Sequence, residues 1–159
     1  LTNSNVLIFR LGTLYGVGDS FSRIKFDLVV NTLVMRAYFY GKISVFGGKQ
    51  YRPFLHVRDA ATMIYSVLSK KNTGIYNLHD ENATILDVAE QIKGYFPELE
   101  IETSDTMFQD NRNYRVSSEK AIKELGFSPN LTINDGIIEL KKMLAEGRVK
   151  NSFIGRFSN

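Results

Sequence analysis

Several patterns are missing from this 159-residue chain, and each absence excludes a class of protein. With no cysteine, the chain has neither a disulfide framework nor a thiolate metal site. Its two histidines, His56 and His79, lack the spacing of a zinc motif, so we expect no metal. No apolar run reaches the roughly 18 residues of a membrane span, and the start at Leu1 lacks a signal-peptide layout. We therefore expect a cytoplasmic protein without a membrane partner.

What remains is the composition of an ordinary globular domain. Hydrophobic residues make up 43% of the chain and charged residues 23%, which is enough apolar material for one domain with a real core. The net charge of +3 is small and the basic residues are scattered, so we expect no nucleic-acid partner. The chain enters an apolar strand at Val6 with no methionine before it, which indicates a piece of a longer protein.

The most informative stretch runs from Arg52 to Asp59 and reads Arg-Pro-Phe-Leu-His-Val-Arg-Asp. Pro53 fixes its own φ and favours an extended Arg52, and the apolar residues that follow predict a short strand. Asp59 is predicted to cap a helix that starts at Ala60. An arginine at the mouth of such a unit suits a phosphate or carboxylate ligand, although the same arrangement occurs in surface salt bridges.

The hydrophobic patterns elsewhere predict alternating strands and helices, hence an α/β fold. Strands are predicted over 6–9, 42–46, 75–78 and 98–102. Helices are predicted over 24–40, 60–70, 84–93, 118–125 and 132–146. We expect a single α/β portion over residues 1–146 and a tail over 147–159.

Five blocks of the sequence resemble, in the right order, the C-terminal half of the extended short-chain dehydrogenase/reductase family. Arg52 to Asp59 is similar to that family's R-[DP]-[FW]-[IL]-[HY]-V-x-D motif. The other blocks are Arg10–Gly16, Ile43–Gly47, Gly74–Leu78, and Arg112–Tyr114 with Lys120-Ala121 and Leu125–Phe127. The resemblance implies an NAD(P)-binding Rossmann-like fold of short mixed strands and several helices, with the N-terminal Rossmann half missing. Residues 1–20 resemble a late Rossmann strand and the active-site loop.

The family contains NAD-dependent nucleotide-sugar epimerases and 4,6-dehydratases. The resemblance therefore implies a substrate-binding portion of an enzyme that oxidises the sugar at C4 and then epimerises or dehydrates it. It also implies NAD bound mainly by the missing half, a nucleotide diphosphate sugar as ligand, and a homodimeric parent. The family's catalytic Tyr-x-x-x-Lys lies upstream of the matching region. We therefore assign no catalytic residue and predict no turnover by the chain alone.

Two arginines are implied to contact the diphosphate of the nucleotide sugar. Arg52 belongs to the motif described above, and Arg112 best matches an arginine that the family carries in a later loop. Arg115 stands close enough to be an alternative to Arg112. Without the resemblance, Arg112 would be read as a solvated loop charge.

The remaining implied site residues surround the base, the sugar and the nicotinamide. Phe46 falls where the family stacks a nucleobase, although core packing would explain it equally well. Thr13 and Tyr15 fall in the loop that passes under the nicotinamide towards the sugar, with Thr13 assigned to the cofactor. Asn31 lies in an apolar helix and needs a partner, either the substrate or neighbouring backbone.

Two rival hypotheses remain open. The first is a small self-contained NAD-binding oxidoreductase, because residues 12–18 read G-x-x-x-G-x-G and Tyr38 to Lys42 reads Y-x-x-x-K. Against it, no helix follows the glycines directly, and Gly41 is predicted to end the helix before Lys42. The second is a non-enzymatic interaction module that uses an apolar face left by the missing half.

Overall fold

The computed structural model describes residues 6–19, 23–104 and 112–149, and within them the chain forms seven strands and five helices. The strands are β1 (Leu7–Leu11), β2 (Thr13–Tyr15), β3 (Lys42–Phe46), β4 (Tyr51–His56), β5 (Gly74–Leu78), β6 (Glu81–Thr84) and β7 (Glu100–Ser104). The helices are α1 (Val29–Tyr40), α2 (Val57–Val67), α3 (Ile85–Lys93), α4 (Glu119–Leu125) and α5 (Ile133–Ala145).

The strands pair into three small sheets in this part of the chain. β1 runs parallel to β5, from Leu7 beside Gly74 to Leu11 beside Leu78. β4 lies between β2, which is parallel to it, and β6, which is antiparallel. β3 and β7 form a third, parallel pair. Helices occur between the paired parallel strands along the chain, so the α/β class predicted from the sequence is confirmed.

Two groups of buried apolar side chains join the sheets to the helices. The larger surrounds α1, whose Val30, Val34 and Met35 pack with side chains of α3, α5 and β3. The smaller lies among β1, β5, α2 and α4. The sequence of α1 is apolar nearly all round, which predicts a helix buried on most of its sides. In the structure, neighbouring elements cover most of these sides. None of the helices within the described ranges has the length and apolar character that crossing a bilayer demands.

Helix α1 is shorter than predicted, because it begins at Val29 rather than near residue 24. Side chains of its first turns bond to the preceding segment: Asn31 donates to the Lys25 carbonyl at 3.0 Å, and Thr32 donates to the Phe26 carbonyl. These bonds satisfy carbonyls that a longer helix would satisfy with backbone N–H groups. Gly41 ends the helix in the left-handed conformation, as predicted.

The prediction that Asp59 caps α2 is wrong. The helix begins at Val57, and its N-cap is His56, whose Nδ1 accepts from the Arg58 N–H at 3.2 Å. The Asp59 carboxylate instead accepts from the backbone N–H groups of Asn130 at 3.1 Å and Leu131 at 2.9 Å. Asp59 therefore ties α2 to the segment that leads into α5.

Other predicted boundaries are confirmed where local chemistry sets them. Thr84 with Asp87 and Thr132 with Asp135 form capping boxes at the starts of α3 and α5. Strands β2 and β6 were not predicted, since both are short and β6 carries the charged Glu81. Residues 108–111 of the irregular loop predicted over 108–114, and 150–159 of the predicted tail, lie outside the described residues.

Candidate functional site

A cavity of about 750 Å³ opens between the start of α1, strand β3, strand β4 and the segment that begins at Arg112. Its size is that of a site for a small organic ligand. It brings together four residues singled out from the sequence, namely Thr13, Phe46, Arg52 and Arg112. Its other lining residues are Asp27, Leu28, Val29, Leu33, Ser44, Val45, Gly47, Gln50 and Ile85.

Arg52 enters the cavity wall from β4, the middle strand of its sheet. Only 8% of the residue is exposed. Its Nη1 donates to the Tyr51 carbonyl at 3.1 Å, and its Cζ lies 5.7 Å from the ring centroid of Tyr114. A guanidinium held by a central strand and a ring has few conformations to lose when it binds a ligand.

Arg112 opens an irregular segment, 112–118, that is tied to the start of β4. The Tyr51 N–H donates to Asn113 Oδ1 at 3.0 Å, and the Tyr114 N–H donates to the Tyr51 carbonyl at 3.3 Å. The Arg115 Cζ lies 3.6 Å from the Tyr51 ring centroid. Arg112 therefore lines the cavity, whereas Arg115 stacks on Tyr51.

The N-terminus of α1 adds a third source of positive potential, opposed in part by Asp27, which also lines the cavity and lies 3.5 Å from Lys25 Nζ. Leu28 is its N-cap and forms no side-chain cap bond, and the first turn contains no acidic residue. Leu28 and Val29 both line the cavity. A helix N-terminus presents backbone N–H groups and about half a positive charge, which favours an anion there. Sequence reasoning missed this feature, although the absence of a capping residue was a visible signal.

Phe46 gives the cavity wall an apolar, aromatic part. It lies at the end of β3, and 39% of the residue is exposed. Gly47 and Gly48 follow with φ of +68° and +74°, which favours glycine and turns the chain sharply. Gln50 reaches back across this turn, and its Nε2 donates to the Phe46 carbonyl at 3.3 Å. An exposed ring beside an amide suits a planar heterocycle with polar edges. Gln50 was not predicted.

Tyr15 and Asn31 are fully buried, and neither is among the described residues that line the cavity. The Tyr15 hydroxyl donates to the Leu131 carbonyl at 2.8 Å, and burial raises its pKa well above the usual range. Asn31 Oδ1 accepts from the Gly16 N–H at 2.9 Å, and its Nδ2 donates to the Gly16 carbonyl at 3.1 Å. Tyr15 therefore joins β2 to the segment before α5, and Asn31 holds the segment between β2 and α1.

A charged network supports the same segment from α5. Glu139 Oε2 accepts from His56 Nε2 at 3.1 Å and from the Val17 N–H at 3.0 Å. Its Oε1 accepts from Arg58 Nη2 at 2.8 Å. Because Nδ1 of His56 is already an acceptor, its proton lies on Nε2. Burial is the largest influence and lowers the pKa of His56, although the bond to Glu139 acts in the opposite sense.

The glycines of residues 12–18 serve this packing rather than a dinucleotide turn. Gly12 leads into strand β2 and not into a helix, and a Cβ there would lie 3.1 Å from the Pro53 carbonyl oxygen. Gly16 has φ +83°, and a Cβ there would lie 2.1 Å from His56 Nε2. Both glycines let β2 approach β4 closely. The described residues therefore do not fit the pyrophosphate of NAD at these glycines.

The spacing of Tyr38 and Lys42 is a coincidence, as predicted. Lys42 begins β3, beyond the helix end at Gly41, and its Nζ lies 2.6 Å from Glu102 Oε1. The two side chains therefore do not share a helical face. Across the described ranges, no group of three or more histidine or carboxylate side chains is arranged to hold a metal ion.

Comparison with known proteins gives a family match over residues 2–78, to the model described as the NAD dependent epimerase/dehydratase family. Similar solved structures share the fold at low identity. A UDP-glucose 4-epimerase from Thermotoga maritima, solved with UDP-glucose, is 18% identical with a TM-score of 0.74, over 90% of this chain and 47% of that chain. A UDP-glucuronic acid 4-epimerase mutant from Bacillus cereus, in complex with a fluorinated UDP-sugar and NAD, is 20% identical with a TM-score of 0.75, over 89% and 46%.

A third structure, RMD from Pseudomonas aeruginosa complexed with NADPH, is 21% identical with a TM-score of 0.72. The match covers 91% of this chain and 50% of that one. The chain thus spans about half the length of the structures it resembles. At these identities the likeness shows the fold, which is the Rossmann-like fold predicted from the sequence blocks.

Proposed function

We propose that this chain, whose residues 2–78 match the model of the NAD dependent epimerase/dehydratase family, is the nucleotide-sugar-binding portion of an enzyme of that family. The parent enzyme oxidises a sugar at C4 and then epimerises or dehydrates it. This portion holds the nucleoside diphosphate and presents the sugar.

The observation that carries the proposal is the composition of the cavity wall. Two guanidinium groups, Arg52 and Arg112, and the N-terminus of α1 border the same cavity as the exposed ring of Phe46. A nucleoside diphosphate has the matching features, two phosphates and a planar base. Guanidinium groups bind phosphate oxygens with paired N–H donors, and a helix N-terminus adds further donors. The UDP-sugars in two of the similar structures support the same class of ligand.

The chain's contribution to rate is positional. Binding energy from the diphosphate and base holds the sugar in one orientation, and this lowers the entropy cost of the reaction. NAD, when bound, supplies hydride acceptance and return. Thr13 borders the cavity and is our candidate for a contact on the cofactor side. Since residues 12–18 do not fit a pyrophosphate, we propose that NAD is bound mainly by polypeptide outside this chain and that the chain alone has no turnover.

An interaction module is the second candidate, because the β1–β5 sheet exposes apolar side chains on one face. Val6, Ile8 and Ile75 are 52%, 46% and 44% exposed. Such a face suits packing against another protein surface. The two candidates differ in their ligands, since only the first requires nucleotide binding at the arginines.

Calorimetric titration of the chain with UDP, dTDP, CDP, GDP and NAD tests the proposal. We expect one nucleoside diphosphate to bind and NAD not to bind. The double variant Arg52→Ala/Arg112→Ala should weaken binding by about 100-fold or more, since each hydrogen-bonded charge contributes about tenfold or more. The control Lys123→Ala/Lys142→Ala removes the same charge from exposed side chains of α4 and α5 and should change affinity little.

Three outcomes would contradict the proposal. Nucleoside diphosphate binding that survives loss of both arginines would place the ligand elsewhere. NAD binding that is likewise unaffected by loss of both arginines would favour the self-contained oxidoreductase. Absence of binding by every nucleotide would leave the interaction module as the better account.

A further inference from the structure

The segment 112–118 is anchored at its far end by a second set of hydrogen bonds, distinct from those at Tyr51. The Val116 N–H donates to Asn82 Oδ1 at 3.0 Å, and Asn82 Nδ2 donates to the Val116 carbonyl at 3.0 Å. The same Nδ2 lies 2.9 Å from His79 Nε2. His79 Nδ1 lies 2.5 Å from the hydroxyl of Ser118, which is 4% exposed.

These contacts determine the orientation of every group. The Val116 N–H can only donate, so the Asn82 oxygen faces it and the Asn82 amide nitrogen faces His79. His79 Nε2 must then accept, and its proton lies on Nδ1, from which it donates to Ser118. Burial lowers the pKa of His79, which keeps the imidazole neutral as this arrangement requires. Since Nδ1 is a donor, His79 cannot act as a base on Ser118, so the pair is not a hydrolytic dyad.

The anchoring strand also pairs with the strand of Arg52. In the β4–β6 ladder, Ala83 lies opposite Arg52 and Asn82 lies opposite Pro53. Strand β6 is therefore joined to both cation-bearing segments, by backbone pairing to Arg52 and by the Asn82 side chain to the segment of Arg112. The placement of Arg112 relative to Arg52 therefore depends on this strand as well as on the bonds between the segment and Tyr51.

We propose that Asn82 and His79 are positioning residues, which hold the segment 112–118 on β6 so that Arg112 stays at the cavity opposite Arg52. The inference rests on the proposed function, because it assumes that Arg112 contacts the ligand. It predicts that Asn82 affects ligand affinity only through Arg112. A purely structural role in stability would instead affect affinity regardless of Arg112.

A double-mutant cycle with UDP as the probe separates these roles. Asn82→Ala should weaken UDP binding about fivefold to tenfold in the otherwise unchanged chain, and should have almost no further effect in the Arg112→Ala chain. Asn134→Ala, on the exposed side of α5, is the matched control and should have no effect in either chain. An equal loss in both backgrounds, or no loss in the first, would overturn the proposal.

The second measurement needs no ligand. Nitrogen chemical shifts of the two histidine rings should show His56 with its proton on Nε2 and His79 with its proton on Nδ1. In Asn82→Asp, the Val116 N–H keeps an acceptor but His79 loses its donor, so its Nε2 should become protonated towards the carboxylate. An Nε2 proton on His79 in the unchanged chain would overturn the proposed positioning role even where UDP binds. The expected tautomers without binding of UDP, dTDP, CDP or GDP would instead refute the proposed function, and with it the role in affinity.

Discussion

Removal of the Glu139 carboxylate should destabilise the fold substantially, because three donors from different elements converge on it. His56 Nε2 and the Val17 N–H bond to Oε2, and Arg58 bonds to Oε1. The two donors to Oε2 belong to residues that are 0% and 3% exposed. In Glu139→Ala, neither donor has another acceptor within the contacts that the structure shows.

The magnitude follows from the burial of these donors. An unsatisfied buried donor costs about 1–3 kcal/mol, so the two together cost about 2–6 kcal/mol. The lost ion pair adds little, because the Arg58 side chain is 46% exposed. The total is a large part of the roughly 5–15 kcal/mol that stabilises a domain. Glu139→Gln keeps one acceptor oxygen and should cost less than half as much.

Urea unfolding followed by far-UV circular dichroism measures this difference at neutral pH. Glu146→Ala, just after α5, is the matched control, since that side chain is 53% exposed and lies 3.9 Å from Lys142. We expect the control to stay within about 0.5 kcal/mol of the unchanged chain. A Glu139→Ala chain as stable as the control would refute the reasoning, because it would show that His56 and Val17 do not depend on the carboxylate.

Two further predictions concern pH and backbone conformation. Burial lowers the pKa of both His56 and His79. In the pH range below about 6.5 the folded chain therefore binds fewer protons than the unfolded chain. The free energy of unfolding should be highest above about pH 6.5 and should fall as the pH drops towards the lowered pKa values of the folded state. Urea midpoints between pH 7.5 and 6 should show this slope, and His79→Gln should make it shallower; a flat profile would contradict it. Gly16→Ala should cost about 3 kcal/mol or more and Gly41→Ala only about 1, since both have positive φ but only the Cβ at Gly16 meets His56. Equal losses in thermal or urea unfolding would count against that contact.

The elements predicted correctly from the sequence are those whose boundaries depend on neighbouring residues. Thr84 and Thr132 each find an acidic partner three residues later, and Gly41 allows a left-handed helix end. Strands β2 and β6 depend instead on pairing with β4, which lies far away in sequence. The cap of α2 was misassigned for a similar reason, because Asp59 bonds to a segment more than seventy residues away.

The candidate site likewise combines features that the sequence indicates with features that depend on contacts between distant residues. Resemblance to a family singled out Arg52, Arg112, Phe46 and Thr13, and the structure places all four on one cavity. Their roles towards a ligand stay predictions. The helix N-terminus and Gln50 were missed, because their importance lies in what they face across the cavity. Long-range anchors such as Asn82 cannot be found from local patterns, since their partners are separated by more than thirty residues.

The most direct test of the central claim is a map of backbone amide shifts in the nitrogen-15-labelled chain as UDP is added. The account predicts the largest changes at Val29, Phe46, Gly47 and Arg52, which border the cavity at the start of α1, the end of β3 and β4. Changes centred on residues 14–18, or an absence of change with each of UDP, dTDP, CDP and GDP, would contradict it.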